Sequence, residues 1–213
     1  MGFVGATVVA TLAKYLTVYR QRENVKELQH DEFLTRHLEL MIGDYKQKYD
    51  PTHDIRVNVM LPQSKRELSY EGGGFDYTHE QYLQIAHCAG GGIDSDIREH
   101  DCGEQDETTT PWGVDQPAEG NCGRAFVAGE VRVAGRVPAE DRWPGQETTH
   151  GQDRDTRAVN SVLSVPIRNS EAGEPIAVLN VDAPAPLRET SFESDEVQRT
   201  VAERYASRLA TVV

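Results

Sequence analysis

Two short apolar runs near the carboxyl end carry the strongest pattern in the chain. Val159-Asn-Ser-Val-Leu-Ser-Val-Pro-Ile-Arg168 is followed by a polar turn, Asn169 to Pro175, and then by Ile176-Ala-Val-Leu-Asn-Val-Asp182. Both runs are rich in Val, Ile and Leu and bounded by turn residues, which predicts the two strands of a hairpin. Leu163, Val165 and Ile167 share one face of the first strand, and Ala177, Leu179 and Val181 share one face of the second. The opposite faces carry Val162, Ile176 and Val178, so neither strand is one-sided. A strand apolar on both faces belongs inside a layered protein, here with helices above and below.

Alternation also marks Ile55, Val57, Val59 and Leu61, set between Arg56, Asn58 and Met60, as a strand with one principal core face. A turn at 63–65 is expected to lead into a second strand near Leu68 and Tyr70. Residues 79–88 read as a short helix with Tyr82, Leu83, Ile85 and Ala86 in the core, closed by Gly90-Gly-Gly92. Val197, Val201, Tyr205 and Leu209 recur every four residues and predict the buried stripe of a last helix. Ser194 stands at its N-cap, Asp195 and Glu196 in its first turn, and Arg204 and Arg208 toward its C-terminal end. That helix runs close to Val213, so a signal would have to leave through oligomer geometry or a separate effector protein.

At the other end, residues 23–49 continue as a helix with Leu34, Leu38, Met41 and Tyr45 in one stripe and Val25 and Leu28 before it. Pro51 ends it, because proline disfavours helix in the residue that precedes it. The seam is expected to join two copies as a homodimer, against the alternative of a helix packed on its own sheet. Residues 3–19 are mostly apolar, interrupted by Gly5 and Lys14 and followed by Arg20 and Arg22. Val4, Val8, Leu12 and Leu16 recur every four residues, which fits a packed helix. A membrane anchor is the competing reading, although the stretch is short of the ~20 apolar residues a span needs. Its basic flank would keep the remainder in the cytoplasm. A secretory signal would need basic residues before the run and a small-residue cleavage site after it; neither is present.

Charge narrows the partners. Lys and Arg total 22 against 35 Asp and Glu, for a net charge of -13. Residues 1–53 hold seven of each sign, so the acidic excess lies wholly from Asp54 onward. Such a surface repels phosphate backbones, and nucleic acid is not expected as a partner. Three cysteines, Cys88, Cys102 and Cys122, have no framework spacing, which fits reduced thiols in the cytoplasm better than a disulfide scaffold.

No metal or cofactor is expected. Asp94, Asp96, Glu99, Asp101, Glu104, Asp106 and Glu107 face only Arg98, and they lack the ligand ladder and turning glycine of a calcium loop. His87, Cys88, His100 and Cys102 lack structural-zinc spacing, since adjacent His87 and Cys88 cannot easily face one ion. Neither Gly72-Gly-Gly74 nor Gly90-Gly-Gly92 is followed by the Lys and Ser or Thr of a phosphate-cradling loop.

Upstream of the hairpin lies Glu119-Gly-Asn-Cys-Gly-Arg-Ala-Phe-Val-Ala-Gly-Glu-Val-Arg-Val133, and downstream Ser191-Phe-Glu-Ser-Asp-Glu-Val197. In their order and spacing these blocks resemble a GAF domain, a small-molecule sensor module. The matching positions are Gly120, Gly123, Ala125, Val131 to Val133, Ser161 to Pro166, Val178 to Asp182 and Phe192. The likeness covers 51–213, leaving 1–19 as a hydrophobic N-terminal helix and 20–50 as an amphipathic linker helix. It implies an α+β, three-layer fold, with a central antiparallel sheet of five or six strands flanked by helices and a long N-terminal helix.

The resemblance also implies a ligand between the sheet and the loops joining the middle strands. Those loops hold Trp112, Asp115, Asn121, Arg124, Trp143, His150 and Asp155. Two tryptophans with a few convergent polar groups are what small-ligand sites use, though each Trp could equally cap the core under a long loop. Cyclic-nucleotide binders of the family carry an Asn, Lys, Phe, Asp, Glu set that is not recognisable here. No cysteine stands where the bilin-binding relatives attach a chromophore. The enzymatic branch, the free methionine-R-sulfoxide reductases, has a segment similar to the one around Cys122. Its reactive thiol falls where this chain has Gln146 to Asp155 and no cysteine. Sulfoxide reduction needs a thiolate to attack sulfur, so a sensor module is expected, with a thiol-dependent redox enzyme or sensor as the alternative.

Overall fold

The computed structural model of the chain describes residues 32–50, 52–70, 78–90, 111–115, 117–137, 143, 158–169, 171–211 and 213. The apolar run at 3–19, most of the acidic stretch, and His150 and Asp155 lie outside them. No helix among the described residues is long and apolar enough to cross a membrane.

Six strands form one sheet: β1 (Arg56–Ser64), β2 (Gln81–Ala89), β3 (Trp112–Gly113), β4 (Arg132–Gly135), β5 (Ser161–Arg168) and β6 (Pro175–Ala183), in spatial order β3-β2-β1-β6-β5-β4. Every pairing is antiparallel. The hairpin read from the sequence is β5–β6, and both strands lie in the interior of the sheet, β6 against β1 and β5 against β4. Interior placement explains why both faces are apolar: each face meets a protein layer. The hairpin loop is closed by Asn169, whose backbone N–H donates to Glu174 O at 2.8 Å, and by Gly173, whose positive φ of 69 suits the turn.

On one face, α1 (32–48) and α4 (Asp195–Thr200, Val201–Ala206 and Ser207–Leu209) pack side by side. Leu34, Leu38, Met41 and Tyr45 of α1 meet Val197, Val201, Tyr205 and Leu209 of α4 over Val57, Val59, Leu163, Val165, Leu179 and Val181. Phe192 is fully buried in the same core, its ring 5.8 Å from that of Tyr45. The middle of α4 is π-helical over Val201–Ala206. A strict four-residue stripe drifts about 40° per step around a 3.6-residue helix, and the wider π turns take that drift back. Ser194 occupies the N-cap in extended geometry, but its side chain makes no capping bond.

The other face carries α3 (Gly120–Ala128), packed over Met60, Leu83, Val114 and Val178. Helices, sheet and helix thus make the three layers expected of a GAF-like α+β fold.

Three expectations need correction. The segment Lys65–Tyr70 is a short helix, α2, that follows directly on β1, with Leu68 buried. Residues 79–88 are not a helix: Gln81–Ala89 is β2. Val59 pairs with His87 and Met60 with Ile85, so Ala86 is the extra residue of a bulge. The bulge shifts the two-residue period midway, and apolar residues at 82, 83, 85 and 86 then imitate helical spacing. Finally, Cys88 is in a disulfide, against the expectation of reduced thiols, while Cys122 is free and buried.

Candidate functional site

Directly opposed residues share a sheet face, so pairing locates the groups beneath α3. Cys88, Asn58, Asn180, Ser164 and Arg132 form one continuous row across five strands. Arg56, Asp182, Val162 and Ala134 form the next. Asn58, Asn180, Ser164 and Asp182 are all buried. A sheet face covered by a helix would gain stability from apolar side chains here; this one carries polar ones.

Their hydrogen bonds converge on Asp182. Asn180 Nδ2 donates to Asn58 Oδ1 at 3.3 Å and to Met60 Sδ at 3.0 Å. Asn58 Nδ2 donates to Asp182 Oδ2 at 3.0 Å. Arg56 donates to that same oxygen through Nε at 3.1 Å and Nη2 at 2.8 Å. The carboxylate charge is therefore met by a guanidinium within the row. At the far end of this chain Asn180 Oδ1 is buried and has no hydrogen-bond partner.

Helix α3 comes close to this floor because its inward residues are small. Gly120, Asn121, Cys122, Gly123 and Ala125 are its buried positions. Asn121 pins it down, Nδ2 donating to Ser164 Oγ at 2.9 Å and to Arg132 O at 3.0 Å. A Cβ on Gly123 would stand 2.8 Å from Gly113 O, so this approach needs glycine. Glu119 precedes the helix and its Oε2 accepts from Gly113 N at 2.7 Å, while Oε1 lies 3.3 Å from His79 Nε2. The far flank of the floor is closed by Trp143, packed with Val159, Val162 and Ala134; its Nε1 is buried without a partner.

Of the residues singled out from the sequence, Asn121, Cys122 and Trp143 line this face. Trp112 is half-buried in the apolar cluster with Met60 and Leu83 and covers Gly120. Arg124 is half-buried on α3 and makes no ion pair among the described residues. Asp115 instead holds the start of β2, its Oδ2 accepting from Gln81 N at 3.3 Å and from Glu80 N. His150 and Asp155 lie outside the described residues. Burial pushes the Cys122 thiol up to about 12, helped by nearby Asp182 and Glu119 and only partly offset by the N–H of Gly123. A thiol held in that form is a poor nucleophile.

Sequence reasoning passed over Asn58, Asn180, Asp182, Arg56 and Ser164 as a group. The signal was there: a polar residue recurring inside strands that are apolar on both faces must find a buried partner.

No protein-family model matches this sequence, and no curated protein matches it. Solved structures do. The chain is similar to the GAF domain region of a Geobacter sulfurreducens PCA protein, with TM-score 0.54 and 15% identity over 90% of this chain and 97% of that one. It is also similar to a second solved GAF domain, with TM-score 0.50 and 16% identity over 84% of this chain and 74% of the other. The type II free methionine-R-sulfoxide reductase of Thermoplasma acidophilum aligns at TM-score 0.47 and 16% identity over 86% and 93% of the two chains. The chain has a GAF-like fold. At these identities the likeness carries the fold alone.

Proposed function

We propose that the chain is a non-catalytic sensory or regulatory module that takes a small molecule on the α3 face of its sheet. Its output would pass through oligomer geometry or through a separate effector protein. The observation that carries this reading is the buried polar row of Asn58, Asn180, Ser164 and Asp182. Buried polar side chains destabilise a core relative to apolar ones, and departures from good packing gather at functional sites. A thiol mechanism is the weaker reading, because Cys122 is buried and resists ionisation.

Thermal-shift screening and equilibrium dialysis against cyclic nucleotides and small metabolites test it. A ligand at a hundred times its Kd stabilises a fold by about 2.7 kcal/mol, roughly 5–10 °C for a chain of this size. The shift should vanish in Asn58→Val, whose substitution lies in the floor. A screen with no hit, or a hit indifferent to that substitution, would leave only a scaffold role.

A further inference from the structure

Resting on the reading that this face takes a small ligand, we propose that the ligand is neutral and presents an amide-type group, its N–H to Asn180 Oδ1 and its carbonyl to Trp143 Nε1. Among the described residues, an unpartnered acceptor and an unpartnered donor on this face point that way. Asn180 is 6% exposed and Trp143 is 5% exposed, so both atoms are shut off from bulk water. Leaving such groups unpaired is costly, and a site built to pair them rejects ligands that cannot.

The acceptor's identity is set by its surroundings. The amide Nδ2 of Asn180 lies against two acceptors, Asn58 Oδ1 and Met60 Sδ, which fixes which end of the side chain is the oxygen. Donation by Asn180 Nδ2 to Asn58, which in turn donates to Asp182, also polarises the amide, making Oδ1 a better acceptor. The donor lies on the same face. Trp143 packs on Val162, and Val162 is the cross-strand neighbour of Asp182, two residues from Asn180 on the same face. Diagonal neighbours on a sheet face are ~7 Å apart.

Charge excludes the other simple choices. Asp182 already has Arg56 as its counter-ion, so the row offers a ligand cation no free carboxylate of its own. A cation would satisfy Asn180 and leave the indole N–H unpaired. An anion would place its lone pairs against those of Asn180. A neutral group with one donor and one acceptor pairs both.

The test uses the full chain and matched probes followed by ligand-observed NMR and thermal shift: δ-valerolactam against cyclohexanone, and benzamide against acetophenone, benzoate and benzylamine. The amide of each set should bind at least about tenfold more tightly than its ketone, acid or amine counterpart. Asn180→Leu and Trp143→Phe should each weaken amide binding by about tenfold and abolish the preference over the ketone. The wild-type comparison stands whether or not a variant folds. Equal binding of ketone and amide, or a metabolite hit unaffected by both substitutions, overturns this assignment and leaves ligand sensing in place. No binding by any probe and no metabolite hit overturns both.

Discussion

A Cβ added at Gly120 would stand 2.3 Å from two carbons of the Trp112 ring, whereas at Gly173 nothing lies within 4 Å. The backbone is left-handed at both, with φ of 60 and 69. Alanine therefore pays a similar conformational penalty of about 1–2 kcal/mol at either position. Only Gly120→Ala adds an overlap, worth roughly another 1–3 kcal/mol as the indole is pushed off the first turn of α3. Gly173→Ala should lower Tm by about 2–8 °C and Gly120→Ala by about twice as much, measured by calorimetry. Equal losses would mean that Trp112 does not seat on α3. Residue identity singled out Asn121 and Trp143, although Asn121 stands on α3 and not in the loop expected of it. It did not single out Asn180 and Asp182, because inside a hydrophobic strand their partners come from residues more than a hundred positions away.

Elements with an uninterrupted period were legible, and those whose period is broken were not. Strand β1, the β5–β6 hairpin and the stripes of α1 and α4 follow from spacing alone, since each buries one continuous face. Strand β2 was obscured by the bulge at Ala86, and α2 by being six residues long, too short to show a period. The contact between α1 and α4 adds a feature that spacing could not show. His37 is 8% exposed, stacked on Phe33 at 5.9 Å and edge-on to Tyr205 at 5.7 Å. Burial holds its imidazole below the ordinary 6.5; a hydrogen bond with the Tyr205 backbone partly offsets this, and Arg208 lowers it further. The unfolded chain therefore binds a proton near pH 6.5 that the folded chain resists. The neutral form's contribution is complete above that pH and is lost as the pH falls below it. Wild type should lose more Tm than His37→Gln between pH 7.5 and 5.5. Parallel curves for the two proteins would show that His37 has no part in it.

At the scale of the whole molecule, α1 has a buried side and an open one. The stripe expected to pair two copies, Leu34, Leu38, Met41 and Tyr45, instead packs on the chain's own sheet, while Phe33 is 49% and Leu40 66% exposed. These two lie seven residues apart, the repeat that keeps side chains in register along a helix seam. One turn beyond Leu40, a Cβ on Gly43 would meet no atom within 4 Å, so the outer face stays open there too. The sheet cannot cover this outer face, because the sheet already holds the opposite side of the same helix. A second copy can, and a two-fold seam between α1 helices would link ligand-driven movement of the core to the geometry of a pair. Because Leu40 contributes little to the monomer's core, Leu40→Glu should leave the chain folded, with Tm lower only by what pairing contributed. In light scattering after size exclusion, the same substitution should halve the mass from two chains to one. A wild-type protein that elutes as a single chain at tens of micromolar would remove the dimer, and with it the proposed route by which this module reports its ligand.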